Sequence, residues 1–248
     1  MDEGTKALTF WDHLDVLRSS LIRMAVAVMV LGVAAFCLKD MLFSVVLAPR
    51  SSDFVTYQLL GVDAFHINLM NTGLTEQFMI HMRTAIYAGL LLASPYILYE
   101  LFRFISPALY ETERKYSVQV AGIIYVLFLL GVLMSYFVLF PISFRFLGTY
   151  SVSAKVVSNI TLDSYISTFV SLTLVMGVVF QLPVIAFFLG KMGVVTSSML
   201  ANYRKHSLIV IMLVAAIITP PDLMTLILVT IPLYLLYEVS IRVVKWVE

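Results

Sequence analysis

Charge is scarce in this chain. Only 12% of its 248 residues are Asp, Glu, Lys or Arg, about half of the ~25% usual in a soluble domain. With 61% hydrophobic residues, there is too little polar surface to cover a water-facing globule. The net charge of +1 excludes the basic footprint of a nucleic-acid binder. Cysteine is almost absent. Cys37 is the single one, which excludes an intrachain disulfide or a thiolate metal site. It reads as a small, buried apolar residue. Catalytic motifs are missing too. Among the four histidines there is no His-Glu-x-x-His, and the chain has no Gly-x-Ser-x-Gly elbow and no phosphate-cradling Gly-x-x-x-x-Gly-Lys-Ser/Thr loop. No catalytic residue, metal ligand or cofactor is therefore assigned. A Ser–His pair distant in sequence stays open at this point.

What is present is a series of long apolar runs. Residues 116–144 hold 29 positions without a full charge, and Ser164–Gly190 hold 27. Each exceeds the ~20 residues a helix needs to cross a bilayer. The fold class predicted is all-α: a single polytopic membrane domain over residues 1–248 with six transmembrane helices. The expected spans are about 21–40, 76–99, 116–140, 162–187, 206–220 and 222–238. Residues 1–20, with Phe10, Trp11, Leu14 and Leu17 at helical spacing, predict an amphipathic helix on the membrane surface. Asp2 and Glu3 are unlike the basic start of a signal peptide, so the first span is expected to be retained. Met41–Pro49 extends the first apolar run. Residues 50–75, with the β-prone Phe54-Val55-Thr56-Tyr57, read as a structured loop.

The last two spans look short. Their uncharged runs, His206–Pro221 and Leu223–Tyr237, hold 16 and 15 residues. At 1.5 Å per residue each reaches roughly 22–24 Å, against a hydrocarbon core of about 30 Å. Thr219-Pro220-Pro221-Asp222 is the tight turn between them. Such a hairpin must thin the bilayer, snorkel its flanking side chains or be covered by partners.

Orientation follows from the 16 basic residues. With the N-terminus inside, eleven fall on the inner side; Lys39, Arg50, Arg83, Arg145 and Lys155 fall outside. Both termini are therefore expected in the cytoplasm. A charge within the bilayer costs at least ~2.5 kcal/mol on the insertion scale, so polar groups near apolar runs need a reason. Glu76, His81 and Arg83 cluster at the outer start of the second span. Arg83 and Glu238 read as end-snorkelling side chains. Gln181, deep in the fourth run, suits an interhelical hydrogen bond or a functional polar site.

Residues 95–115 are the most informative segment, placing Glu100, Glu111 and Glu113 beside aromatic residues. Phe104-Ile105-Ser106-Pro107-Ala108-Leu109-Tyr110, followed by Glu113-Arg114, resembles the signature loop of the TatC family, the multi-spanning subunit of the twin-arginine protein translocase. Other stretches agree in order: His13-Leu14 with Leu17-Arg18, Ala48-Pro49, Phe137 to Pro141, Gln181-Leu182-Pro183-Val184 and Thr219-Pro220-Pro221-Asp222. The resemblance covers the whole chain.

The resemblance implies a receptor and core subunit, not an enzyme, of a translocase that binds signal peptides bearing two arginines. It would export folded proteins across the cytoplasmic (inner) membrane on the proton gradient. The implied partners are TatA- and TatB-type single-span subunits docking near the last two spans, further copies of the chain, and the cargo's signal peptide. Two guanidinium groups are best held by carboxylates. The implied signal-peptide residues are Arg18, Phe104 and Glu113, with Glu100 nearby. One departure matters: the family's His-Leu-x-Glu-Leu-Arg carries its glutamate where this chain has Val16. Asp12, one turn earlier on the same face, or the adjacent Asp15, is expected to replace it. Gln181 takes a position often held by glutamate, so it cannot carry a proton and is read as a partner-helix contact, with Thr219 and Asp222. Pro49, Pro107, Pro220 and Pro221 read as structural, with Pro49 ending a helix and Asp222 capping one. The competing reading is a small-molecule or ion secondary transporter. That class shows internal repeats and broken helices around mid-membrane charge, and no internal repeat is evident here.

Overall fold

The structure, a computed structural model, describes residues 10–105, 117–151, 153 and 159–248, without the side chains of residues 10–13, 105 and 117–119. The chain forms eleven α-helices among these residues. They are α1 (Phe10–Cys37), α2 (Lys39–Leu47), α3 (Val55–Leu59), α4 (Glu76–Ile105), α5 (Ser117–Met134), α6 (Phe140–Thr149), α7 (Leu162–Val179), α8 (Leu182–Lys191), α9 (Ser197–Asn202), α10 (Arg204–Ile218) and α11 (Leu223–Val247). Two short strands, β1 (Leu69–Met70) and β2 (Ile160–Thr161), pair in parallel.

Five helical stretches are long and apolar enough to cross a membrane: Leu14–Cys37, Glu76–Phe104, Val120–Thr149, Leu162–Lys191 and Leu223–Val247. Large apolar side chains such as Met29, Ile209 and Ile217 stand exposed on the helices, as lipid-facing surfaces require. α10 is apolar but has only 15 residues. α11 is longer than its uncharged part suggests, because the helix runs past Glu238 to Val247. Residues 10–20 are the first turns of α1 itself, so the polar start and the first apolar span form one helix. Cys37, expected to be buried, is exposed; where the surrounding solvent is apolar, a thiol needs no burial.

The chain divides into two compact units, Met1–Lys39 with Ala85–Tyr125, and Asp40–Thr84 with Val126–Glu248. In the first unit α1 and α4 cross backbone to backbone. A Cβ on Gly89 would lie 2.6 Å from the Gly32 nitrogen and the Val28 carbonyl oxygen. Small residues at a helix interface allow this approach.

The second unit holds its helices together where they break. Proline lacks an N–H, so the carbonyl four residues earlier loses its helical partner. Pro49 does this to Val45, and the Tyr136 hydroxyl donates to that carbonyl at 2.8 Å. Pro141 does it to Phe137, and Thr56 Oγ1 donates there. The Tyr57 hydroxyl donates to the Pro49 and Pro141 carbonyls at 3.0 and 2.8 Å, and Tyr165 donates to Val46 at 2.9 Å. A π-helical stretch, Ser135–Leu139, lies between α5 and α6. The Phe54–Tyr57 segment is therefore not a strand. Phe54 is the extended N-cap and Val55–Leu59 is helical, because the turn buries Thr56 against the freed Phe137 carbonyl and Tyr57 against the carbonyls of the two prolines. Tyr136→Phe is expected to cost about 1 kcal/mol, read by thermal melts in detergent. Added to Pro49→Ala it should cost less than the two losses summed, since alanine restores a local N–H to Val45.

Two charges expected to snorkel are paired with partners on other helices. Arg83 meets Asp163 at 3.1 Å. Arg204 binds Glu238 through two nitrogens, at 2.7 and 3.0 Å, and the Tyr234 hydroxyl adds a third contact at 3.2 Å. This fork ties α10 to α11 and lets α11 continue past an acidic residue.

Candidate functional site

The site builds from α4. Pro95 interrupts its hydrogen-bond ladder, and Ser94 Oγ donates to the Leu91 carbonyl that Pro95 cannot serve, at 2.6 Å. Tyr96 and Glu100 then share a face one turn apart. Glu100 is 3% exposed, so an ionised carboxylate there needs partners. Its Oε2 accepts from Arg23 Nη2 at 3.0 Å and from Ser20 Oγ at 3.1 Å; its Oε1 accepts from the Tyr96 hydroxyl at 3.1 Å. Arg23 Nη2 also donates to Ser20 Oγ at 3.0 Å. Three hydrogen bonds, one of them from a guanidinium, hold the acid in its ionised form.

The helix crossing explains the meeting. Arg23 lies nine residues before Gly32, about 14 Å along α1, and Glu100 eleven after Gly89, about 17 Å along α4. Two antiparallel helices in contact at the glycines therefore bring these residues level. Sequence reasoning names Glu100 but uses Arg23 only for orientation and overlooks Ser20 and Tyr96. The local signals, Ser20 with Arg23 three apart and Tyr96 with Glu100 four apart, exist in the sequence. The pairing across 77 positions does not.

Around this cluster Asp15, Val16 and Arg18 are exposed on α1. Val16, where the family pattern has glutamate, lies one turn before Ser20 on the same stripe. Phe104, half-buried, is one turn beyond Glu100. Pro107 and Glu113 fall outside the described residues, as does the side chain of Asp12.

The remaining expected positions lie in the second unit. Asp222 caps α11, its Oδ1 accepting from the Thr225 amide at 2.7 Å. Thr219 Oγ1 donates to the Ala215 carbonyl at 2.9 Å. Pro220 and Pro221 occupy the turn after α10, where the Asp222 amide donates to the Pro220 carbonyl at 2.7 Å. Pro49 is buried in a 3-10 turn after α2, as expected of a helix terminator. Gln181 sits at the break between α7 and α8, and its Nε2 donates to the Gly177 carbonyl at 3.4 Å.

Ser51, Ser52, Asp53 and His66 line one cavity of about 400 Å3 in the second unit, with Arg50 and apolar walls from Leu47, Phe65 and Ile67. The Ser51 hydroxyl there accepts from the Asp53 amide at 3.3 Å. Among the described residues no three His, Cys, Asp or Glu side chains group as a metal site.

The family model described as Sec-independent protein translocase protein (TatC) matches residues 12–232. The chain is similar to the Sec-independent protein translocase protein TatC of Blattabacterium sp. subsp. Periplaneta americana, 34% identical with 100% of this chain and 99% of that protein covered. It is similar to TatCy of Bacillus subtilis, 34% identical over 96% of this chain and 89% of that one. The crystal structure of the twin arginine translocase receptor TatC superposes with a TM-score of 0.79 at 32% identity, covering 95% and 99% of the two chains. The family model over most of the chain, the relatives over its length and the solved structure converge: this chain belongs to the TatC family of Sec-independent protein translocase proteins.

Proposed function

We propose that this multi-spanning subunit is the receptor and core of a twin-arginine translocase, binding the signal peptide at the rim around Glu100. The family is a translocase component and not an enzyme, and the transporter reading falls away with it. The observation that supports the rim is the buried Glu100 carboxylate, which already holds a guanidinium at 3.0 Å, the group a twin-arginine peptide presents. Arg18, Asp15 and Phe104 flank it, and Glu113 and Asp12 follow from the family pattern. In this reading the rim and both termini face the cytoplasm of an inner membrane, as the eleven-to-five split of basic residues favours. α10 is then a sixth, short span. At roughly 22 Å it underspans the bilayer and favours short partner helices of TatA and TatB type. Gln181, Thr219 and Asp222 are the polar positions offered to such helices, and further copies of the chain complete the complex. Folded cargo crosses at the expense of the proton gradient.

The test is a pull-down by the full chain with a signal peptide bearing Arg-Arg against one bearing Lys-Lys. Retention of the Arg-Arg peptide alone is expected; equal weak retention of both sinks the proposal. Glu113→Gln is expected to abolish retention and Asp12→Asn to weaken it. Unchanged binding by Asp12→Asn, with Glu113→Gln inactive, would remove Asp12 from the site.

A further inference from the structure

Glu100 is a guanidinium seat with its occupant built in. The carboxylate side chain is 4% exposed and that of Arg23 is 48% exposed: the seat is part of the protein interior and the occupant reaches it from outside. The occupancy is incomplete. Arg23 uses one nitrogen on one oxygen, Oε2. Among the described residues only Tyr96 donates to Oε1, although a carboxylate offers about four lone-pair positions and accepts a guanidinium through both oxygens. An entering arginine placed as a fork across Oε1 and Oε2 makes two charge-assisted bonds where Arg23 makes one. Arg23 can leave: among the described residues Glu100 is its one carboxylate partner, and its long stem ends at the rim, where it can turn to water. The seat cannot stay empty at low cost, because removing one partner of a buried pair strands the other charge. Ser20 and Tyr96 hold the carboxylate in place during an exchange. Lysine in the same seat is a point charge without the fork.

We propose that Arg23 is a stand-in ligand, holding Glu100 in the peptide-free chain and yielding that carboxylate to one arginine of the signal peptide. This rests on the reading of the rim as the peptide site and adds an internal competitor that sets its affinity and its preference for arginine over lysine. Chain and peptide then exchange like for like, so only a guanidinium able to outbid Arg23 enters.

A competitor reveals itself by the sign of the effect when it is removed. The experiment measures binding of fluorescent Arg-Arg and Lys-Lys peptides to the full chain in nanodiscs. Arg23→Gln is expected to tighten Arg-Arg binding about tenfold, corresponding to 1.4 kcal/mol, and to narrow the preference over Lys-Lys. Glu100→Gln should weaken Arg-Arg binding, and adding Arg23→Gln to it should give no gain. A clamp that merely orders the rim predicts the reverse, weaker binding by Arg23→Gln; that result, or no change, overturns the proposal. If Arg23→Gln does not fold, Arg23→Lys decides: tighter binding supports displacement, and unchanged or weaker binding overturns it. Failure of the receptor reading is separable, since there the unmutated chain binds both peptides alike.

Discussion

Gly89→Leu is expected to abolish export and to lower the stability of the chain by about 3 kcal/mol or more. A leucine at this position has nowhere to go. Its Cβ alone would stand 2.6 Å from the Gly32 nitrogen, 2.6 Å from the Val28 carbonyl oxygen and 2.7 Å from the Gly32 Cα. These are backbone atoms, which cannot turn aside, so α1 and α4 must move apart. Overpacking a close interface typically costs about 1–3 kcal/mol, and more where backbone must shift. With the Glu100 cluster as the proposed peptide site, the functional loss follows from the same geometry, because the crossing is what brings Ser20 and Arg23 level with Glu100. Separated helices leave a buried carboxylate without its guanidinium, an arrangement that costs about 3–5 kcal/mol when one partner of a buried pair is lost. Gly122 is the control within the same unit. Nothing lies within 4 Å of a Cβ built there, so Gly122→Leu places its side chain in open surroundings and should melt with the unmutated chain. Thermal melts in detergent, read with an export assay, check both. Equal melting of the two leucine variants would refute the crossing as the organiser of the rim.

Tyr57→Phe is expected to cost about 1–3 kcal/mol for the removal of a single oxygen. The hydroxyl bridges the Pro49 and Pro141 carbonyls, at 3.0 and 2.8 Å, and the side chain is 1% exposed. Phenylalanine keeps the ring, including its edge contact with Phe65 at 4.9 Å between centroids. It strands the buried Pro49 carbonyl, at a cost of about 1–3 kcal/mol, and takes from the Pro141 carbonyl its second donor beside the helical N–H of α6. Burial also pushes the Tyr57 phenol well above its ordinary value. The neutral phenol is the form the fold needs. The stability it contributes is therefore fully present below about pH 10, where the unfolded phenol titrates, and is lost as pH rises beyond that toward the raised folded value. Chemical-denaturant unfolding from pH 7 to 11 should show a flat region and then a fall. In Tyr57→Phe the fall should be shallower. A curve identical in both proteins would separate the alkaline loss from this tyrosine.

Several features were legible without any fold. Low charge and long apolar runs name the solvent, because a bilayer selects on local hydropathy. The cap by Asp222 and the stop at Pro49 are also local: one carboxylate reaches an amide three residues on, and one missing N–H ends one ladder. The signature loop around Phe104 and the altered position at Val16 read directly from residue order.

The pairings were not legible. Nothing between residues 23 and 100 says that Arg23 will face Glu100; the Gly32–Gly89 crossing decides it. Arg83 with Asp163 and Arg204 with Glu238 are the same case, so charges that look like lone snorkelling side chains become ties between helices. Phe54–Tyr57 shows tertiary demand overriding propensity. The segment turns helical because the Phe137 carbonyl freed by Pro141 accepts from Thr56, and the carbonyls of Pro49 and Pro141 themselves accept from Tyr57, a set of acceptors that a strand would not reach. By itself the sequence determined the membrane environment and the helical class, since each depends on neighbours along the chain. Only the tertiary structure decided which cation sits on which anion, because hydrogen bonds between helices depend on where close-packed backbones cross.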